Sequence, residues 1–173
     1  MPLILRKLIS EDESTFMDAI KECEADPQDF TFAVGFKHEE GFTAFRKQQE
    51  NWDRGIDLPD GFVPSTYYVG VLERKIVGRV FIRHKLNDFL ERIGGHLGYC
   101  VVPSYRRQGI ATQMLKMSLP ICAKLGLPKI LVTCDVDNVA SRKVIEKCGG
   151  VFECITKEPS LAVQKRKYWI PTS

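Results

Sequence analysis

The stretch Gly98-Tyr99-Cys100-Val101-Val102-Pro103-Ser104-Tyr105-Arg106-Arg107-Gln108-Gly109-Ile110-Ala111-Thr112 decides how this chain is read. It opens as a mostly apolar strand, Pro103 halts it, and a tight turn leads into a helix. Gly109 and Ala111 leave the start of that helix bare, so its unpaired N–H groups can approach a ligand closely. Those groups and the helix dipole favour an anion, most naturally a phosphate or pyrophosphate, and Arg106 and Arg107 add positive charge. An ordinary strand–turn–helix junction with solvated arginines is the bland alternative. Neither G-x-x-x-x-G-K-[ST] nor G-x-G-x-x-G occurs, which removes the two common nucleotide-loop readings.

Before this stretch, Tyr67, Val69 and Val71 alternate, Glu73-Arg74-Lys75 turns, and Ile76 to His84 runs back as a second strand. Asn87 to Arg92 is a loop or short helical turn, and Gly94 to Val102 is the third strand. Nearer the start, Leu3 to Lys7 is a short strand. Ser10 and Glu13 have capping-box spacing, and Phe16, Met17, Ile20 and Cys23 recur helically until Asp26-Pro27. A second helix from His38 to about Trp52 carries Phe42, Phe45, Gln49 and Trp52 on one stripe. After the key stretch, Arg107 to Leu125 is helical, with Pro120 expected to kink or break it at a cost of about 3 kcal/mol. Lys129 to Cys134 is a buried strand. Asn138 to Cys148 is a helix with Ala140, Val144 and Cys148 inward, closed by Gly149-Gly150. Val151 to Ile155 and Val163 to Ile170 are the last strands. The fold class is mixed α/β around a largely antiparallel sheet, as one domain over residues 1–173.

The composition is that of a folded globular protein: 44% hydrophobic and 27% charged, with a net charge of +3 over 173 residues. That balance announces neither a nucleic-acid nor a membrane partner. No run approaches a membrane span, no targeting segment is visible, and a cytoplasmic location is expected. The cysteines form no C-x-x-C pair and most occupy apolar positions, so they read as reduced core thiols, and no metal site is expected.

Arg106-Arg107-Gln108-Gly109-Ile110-Ala111 matches [Arg/Gln]-x-x-Gly-x-[Gly/Ala], the pyrophosphate-binding pattern of the GNAT superfamily of N-acetyltransferases. Asn138 opens a helix that closes in Lys147-Cys148-Gly149-Gly150, which is similar to that family's Asn-led helix ending in a Gly turn. The order of elements agrees along nearly the whole chain. The resemblance implies the GNAT-like fold, with a central strand splayed at the cofactor site, and acetyl-CoA as cofactor. It places Cys100, Val101 and Val102 as backbone partners of the pantetheine arm. Arg106, Arg107, Gln108, Gly109, Ile110, Ala111 and Thr112 would hold the pyrophosphate, and Asn138 would touch the cofactor from the second helix. Asn138 also suits a plain N-cap, and the two roles are compatible.

Acetyl transfer needs a neutral amine, and freeing a lysine-like amine at pH 7 costs about 4.6 kcal/mol. Relatives often carry a Glu base on the strand before the motif, where this chain has His96, with Glu91 behind it. Many relatives use a tyrosine acid midway along the second helix. Ile145 stands there, so Tyr168 on the last strand becomes the substitute candidate. Phe30, Phe32 and Phe36 are candidates to line the acceptor groove, or simply core. The expected function is N-acetylation of a small-molecule amine by direct attack. A protein N-terminal or lysine acetyltransferase and a non-catalytic acetyl-CoA sensor are the alternatives. The expected partners are acetyl-CoA and an amine acceptor, with a homodimer as a further option.

Overall fold

A computed structural model describes residues 2–28, 31–158 and 162–173. Seven strands form one sheet in the order β1-β2-β3-β4-β5-β7-β6. They are β1 (Ile4–Arg6), β2 (Ser65–Leu72), β3 (Lys75–Arg83), β4 (Leu97–Val101), β5 (Lys129–Asp135), β6 (Val151–Glu158) and β7 (Val163–Pro171). Every adjacent pair is antiparallel except β4 and β5. Helices α1 (Glu13–Glu24) and α2 (Gly41–Asp53) cover the front face, and α3 (Ile110–Lys124) and α4 (Val139–Lys147) the back. The expected class, a mostly antiparallel sheet flanked by helices, is the observed one.

Several local expectations change. Ser10 and Glu13 form no capping box; instead buried Asp12 accepts from Ile9 N–H at 2.9 Å and from both Arg6 Nη atoms at 2.7 and 2.8 Å. Burial opposes the Asp12 charge, but these bonds outweigh it and hold the carboxyl below its ordinary pKa. The second helix begins at Gly41, while its stripe of Phe42, Phe45, Gln49 and Trp52 is buried as read. In α4 the fully buried residue is Ile145; Ala140 is exposed. The β2–β3 turn needs only Glu73 and Arg74, both left-handed (φ 49° and 66°), the geometry that matches the twist of a two-residue hairpin.

Two glycines seat α3 on the sheet. Gly70 and Gly78 lie opposite each other on β2 and β3, and a Cβ on either would meet Met114 at 2.6 or 2.7 Å. The bare backbone lets Met114 enter, which fixes how closely α3 approaches. Pro120 does not break α3. It is exposed, and so is Lys116, whose carbonyl loses its helical partner to the proline ring.

At the centre, β4 is laddered to β3 from Leu97 to Val101 but meets β5 only at Leu97↔Val132. His96 fastens that junction. Its N–H donates to Leu131 O at 2.7 Å, and its Nδ1 accepts from Leu131 N–H at 2.9 Å. Burial first, then the neighbouring Arg83 charge, pull the His96 pKa down to about 4.

Two outcomes follow from these contacts. Pro120→Ala should restore the Lys116 carbonyl's partner and raise stability by about 1–2 kcal/mol in urea titrations. Because the folded His96 pKa lies below its unfolded 6.5, its contribution is complete above about pH 6.5 and is lost as pH falls toward 4. Wild type should therefore lose about 2 kcal/mol more stability between pH 7 and 5 than His96→Gln does, measured by the same titrations.

Candidate active site

Beyond Leu97 and Val132 the two central strands diverge and leave a wedge. Val102 N–H is spent on Val77 O at 2.9 Å, and Cys100 O lies against Gly78, so both residues turn their backbone toward β3. Strand alternation then points the backbone of Tyr99 and Val101 into the wedge. Of the strand residues expected to meet a pantetheine arm, Val101 turns its backbone into the wedge, whereas Cys100 and Val102 turn theirs to β3; Tyr99, not among the expected residues, also faces the wedge. Its side chain leaves by the back face, where its hydroxyl meets Ser141 Oγ at 2.6 Å and Ser141 O at 3.3 Å. Burial pushes the Tyr99 phenol well up, so it stays protonated.

At the foot of the wedge the chain turns into α3. Gly109 takes φ +77° and Arg107 φ +61°, left-handed conformations that suit the first and strain the second. A Cβ on Gly109 would touch only Gln113 Nε2, at 4.0 Å, so the space beside it is open. The first intrahelical bond is Gln113 N–H to Gly109 O at 3.0 Å, and the N–H groups of Ile110, Ala111 and Thr112 precede it with no helical acceptor. Exposed Arg107 makes none of the ion pairs among the described residues, and Gln108 Nε2 donates to Ser104 O at 3.3 Å.

Arg106 differs from its expected role. Its guanidinium is bonded to Asp26, to Gln28 Oε1 at 3.1 Å and to Val101 O at 3.2 Å. It ties the loop to the end of α1 and does not face the cradle. Glu22 reinforces the tie by accepting from Ser104 N–H and from Ser104 Oγ. Asn138 caps α4, accepting from Ser141 N–H at 2.9 Å through Oδ1, and its amide NH2 has no acceptor among the described residues.

The three residues expected to move protons do not come together. His96 sits on the front face beside Trp169, with its Nδ1 lone pair already used by Leu131 N–H. A ring with that bond and a pKa of about 4 does not fit the base role. Tyr168 is on the opposite face, fully buried under α4, with its hydroxyl donating to Glu146 at 3.2 Å. Glu91 is exposed on the Leu90–Gly94 turn. Phe32 and Phe36 pack on Phe16 as core, and Phe30 lies outside the described residues. Ser141 was legible as the third residue after an N-cap asparagine, but nothing local said that Tyr99, far away in sequence, would meet it.

On the front face at the wedge, Cys100 contacts Cys23 of α1. The shared hydrogen bond and the charges of Arg79 and Arg106 favour the Cys100 thiolate, and the same contact and burial push Cys23 up.

The sequence matches the family described as the acetyltransferase (GNAT) domain over residues 3–151. No curated protein matches it. Mycobacterium smegmatis RimJ, solved in complex with CoA-disulfide, shares the fold at TM-score 0.73 and 19% identity, over 98% of this chain and 81% of that one. A Salmonella typhimurium acetyl transferase that modifies the N-terminal serine of ribosomal protein L7/L12 gives 0.70 and 17%, over 98% and 94%. A chimera of Vibrio cholerae spermidine N-acetyltransferase SpeG and hSSAT gives 0.61 and 20%, over 99% and 97%. Since the family match runs through both the splayed strand and the helix start that follows it, the chain belongs to the GNAT family of acetyltransferases, enzymes that draw their acetyl group from acetyl-CoA.

Proposed function

We propose that this chain is an N-acetyltransferase that uses acetyl-CoA to acetylate the amine of a small molecule. One observation carries the reading: a central strand with a single paired residue on one side, opening directly onto a helix whose first N–H groups are unpaired. The cradle suits a pyrophosphate, since Ile110, Ala111 and Thr112 offer N–H donors, Gly109 leaves space and Arg107 adds a free charge. Asn138 reaches the same cleft from α4 with its amide NH2.

When bound, acetyl-CoA supplies a thioester that a neutral amine can attack directly. The N–H groups of Tyr99 and Val101, aimed into the wedge, would stabilise negative charge on the thioester's carbonyl oxygen. The front face over Gly98 is half-exposed, so the amine sheds its proton to water there. The Tyr99–Ser141 hydroxyl pair lies between β4 and α4, within the cleft the leaving sulfur must use. With CoA bound, this pair would be the nearest protein proton source for the sulfur, a proton from water restoring it afterwards.

This last step demands little. A cysteine thiol, the nearest model for the leaving group, has a pKa of about 8.5, so protonating it at pH 7 is worth only about 2 kcal/mol. A peptide N-terminus is the second acceptor class, supported by the Salmonella enzyme that shares the fold. Thiol release with small amines, N-terminal peptides and lysine peptides separates the two, and no release with any of them would leave a binding module.

Acetyl-CoA at a hundredfold excess over its dissociation constant should stabilise the protein by about 2.7 kcal/mol, and raise Tm by about 5–10 °C. Gly109→Glu should erase that shift, because it puts bulk and negative charge into the cradle; no binding by wild type at millimolar ligand would overturn the reading. Tyr99→Phe and Ser141→Ala should each lower kcat by no more than about thirtyfold, the scale of 2 kcal/mol, with acetyl-CoA affinity intact. A thousandfold loss in either would make that hydroxyl an indispensable acid.

A further inference from the structure

Arg79 is the most deeply placed cation of the front face. It is 8% exposed, and none of the ion pairs among the described residues includes it. Its Nε donates to Phe32 O at 3.0 Å and its Nη2 to Thr31 O at 2.6 Å. Both partners are neutral carbonyls. The ionisable groups beside it are the Tyr67 hydroxyl, which donates to the same Phe32 carbonyl at 2.9 Å, and the Cys100 thiol, directly across the β3–β4 ladder. A buried guanidinium without a carboxylate gives up hydration that carbonyls only partly restore.

The remaining nitrogen, Nη1, faces Gly98. Apart from the adjoining backbone, a carbon placed at the Cβ position of Gly98 would meet only Arg79 Nη1, at 3.5 Å. Gly98 is half-exposed, so a small depression opens to solvent on the front face with Arg79 at its side. Its floor is the residue next to Tyr99, whose backbone looks into the wedge. An acceptor standing at the front of the wedge would rest there.

A second cation stands on the same strand. Arg83, four residues along β3, donates to Gly94 O and Gly95 O at 3.2 and 3.1 Å, again without a carboxylate. Burial and the charge of Arg79 pull it down to about 10. Arg106 on the other side is already neutralised by Asp26. Neither Arg79 nor Arg83 has an ion pair among the described residues, so a polycationic acceptor would enter against both guanidiniums.

We infer that the acceptor is an amine that also carries a carboxylate, and that Arg79 Nη1 receives this carboxylate over Gly98. The inference rests on the acetyltransferase reading and adds the acceptor's chemical class. A free amino acid and a peptide with an acidic residue beside its N-terminus present the same chemistry. Arg79 then acts as a specificity residue, setting the amine's distance from the wedge through the second charged group.

The test compares matched acceptors: free amino acids against their amides, and Ser-Asp against Ser-Asn N-terminal peptides, with diaminobutane as a cationic control. Binding to the enzyme–CoA complex is read by calorimetry, and turnover by thiol release. In one source or the other, the acid-bearing amine should bind at least tenfold tighter than its neutral twin, the range of a charge-assisted bond. Arg79→Met should remove that preference through KM, with CoA affinity retained. Because Arg79 also anchors Thr31 and Phe32, Gly98→Ala supplies a second variant: it fills the depression, keeps the charge, and should weaken acid and amide alike. Equal affinity for acid and neutral forms in wild type, or a preference that survives Arg79→Met, overturns the inference. Arg79-dependent binding of the acid without turnover of any amine would sustain the anion site and overturn the acetyltransfer reading instead.

Discussion

The structure depends on one asymmetric strand. β4 is held along its length by β3, yet shares a single paired position with β5. A strand edge left open inside a sheet is costly unless something else satisfies its N–H and C=O groups. Here the open edge is short, and its closed end is reinforced by the His96 side chain, which accepts a backbone N–H that β4 itself does not reach. The imidazole thereby acts as an extra rung. It keeps the strands together up to Leu97 and lets them separate after it.

What lines the wedge follows from what leaves its strands. β4 runs into the loop that opens α3, and β5 runs into the turn that opens α4, so two helix starts converge on the gap. Gly70 and Gly78 admit Met114 and fix α3 against β2 and β3. Arg106 and Glu22 tie the loop before α3 to α1 on the other side of the sheet. Cys23, one residue after Glu22, reaches Cys100. The same end of α1 therefore braces the loop that would hold pyrophosphate and the wall beside the acceptor. A shift of that helix end would move both.

Charge is distributed with the same economy. Two acids beside the wedge are paired, Asp26 with Arg106 and Asp135 with Lys165. Among the described residues Arg79 and Arg83 have no ion pair. Polar side chains that the wedge chemistry can use, the Tyr99 and Ser141 hydroxyls, stay protonated or neutral, so the cleft presents donors and the front face presents positive potential. Under the proposed reaction, such a site would favour negative charge on the carbonyl oxygen and the leaving sulfur.

The sequence by itself determined the elements and the cradle. Alternation, helical stripes and the Arg106–Ala111 motif are local patterns, set by periods of 2 and 3.6 residues and by one left-handed glycine. Those patterns placed Gly109, Ile110 and Ala111 and the capping role of Asn138. Tertiary structure decided which way each strand residue turned its backbone, and so exchanged Cys100 and Val102 for Tyr99. It also sent Arg106 to Asp26, used His96 as a rung and put Tyr168 on the wrong face. None of these choices has a local cause. A strand residue's open edge depends on which neighbour pairs with it, an arginine's direction on which acid comes within reach, and a histidine's chemistry on whether its lone pair is already taken. Those partners are tens of residues away, and only folding brings them to the same few ångströms.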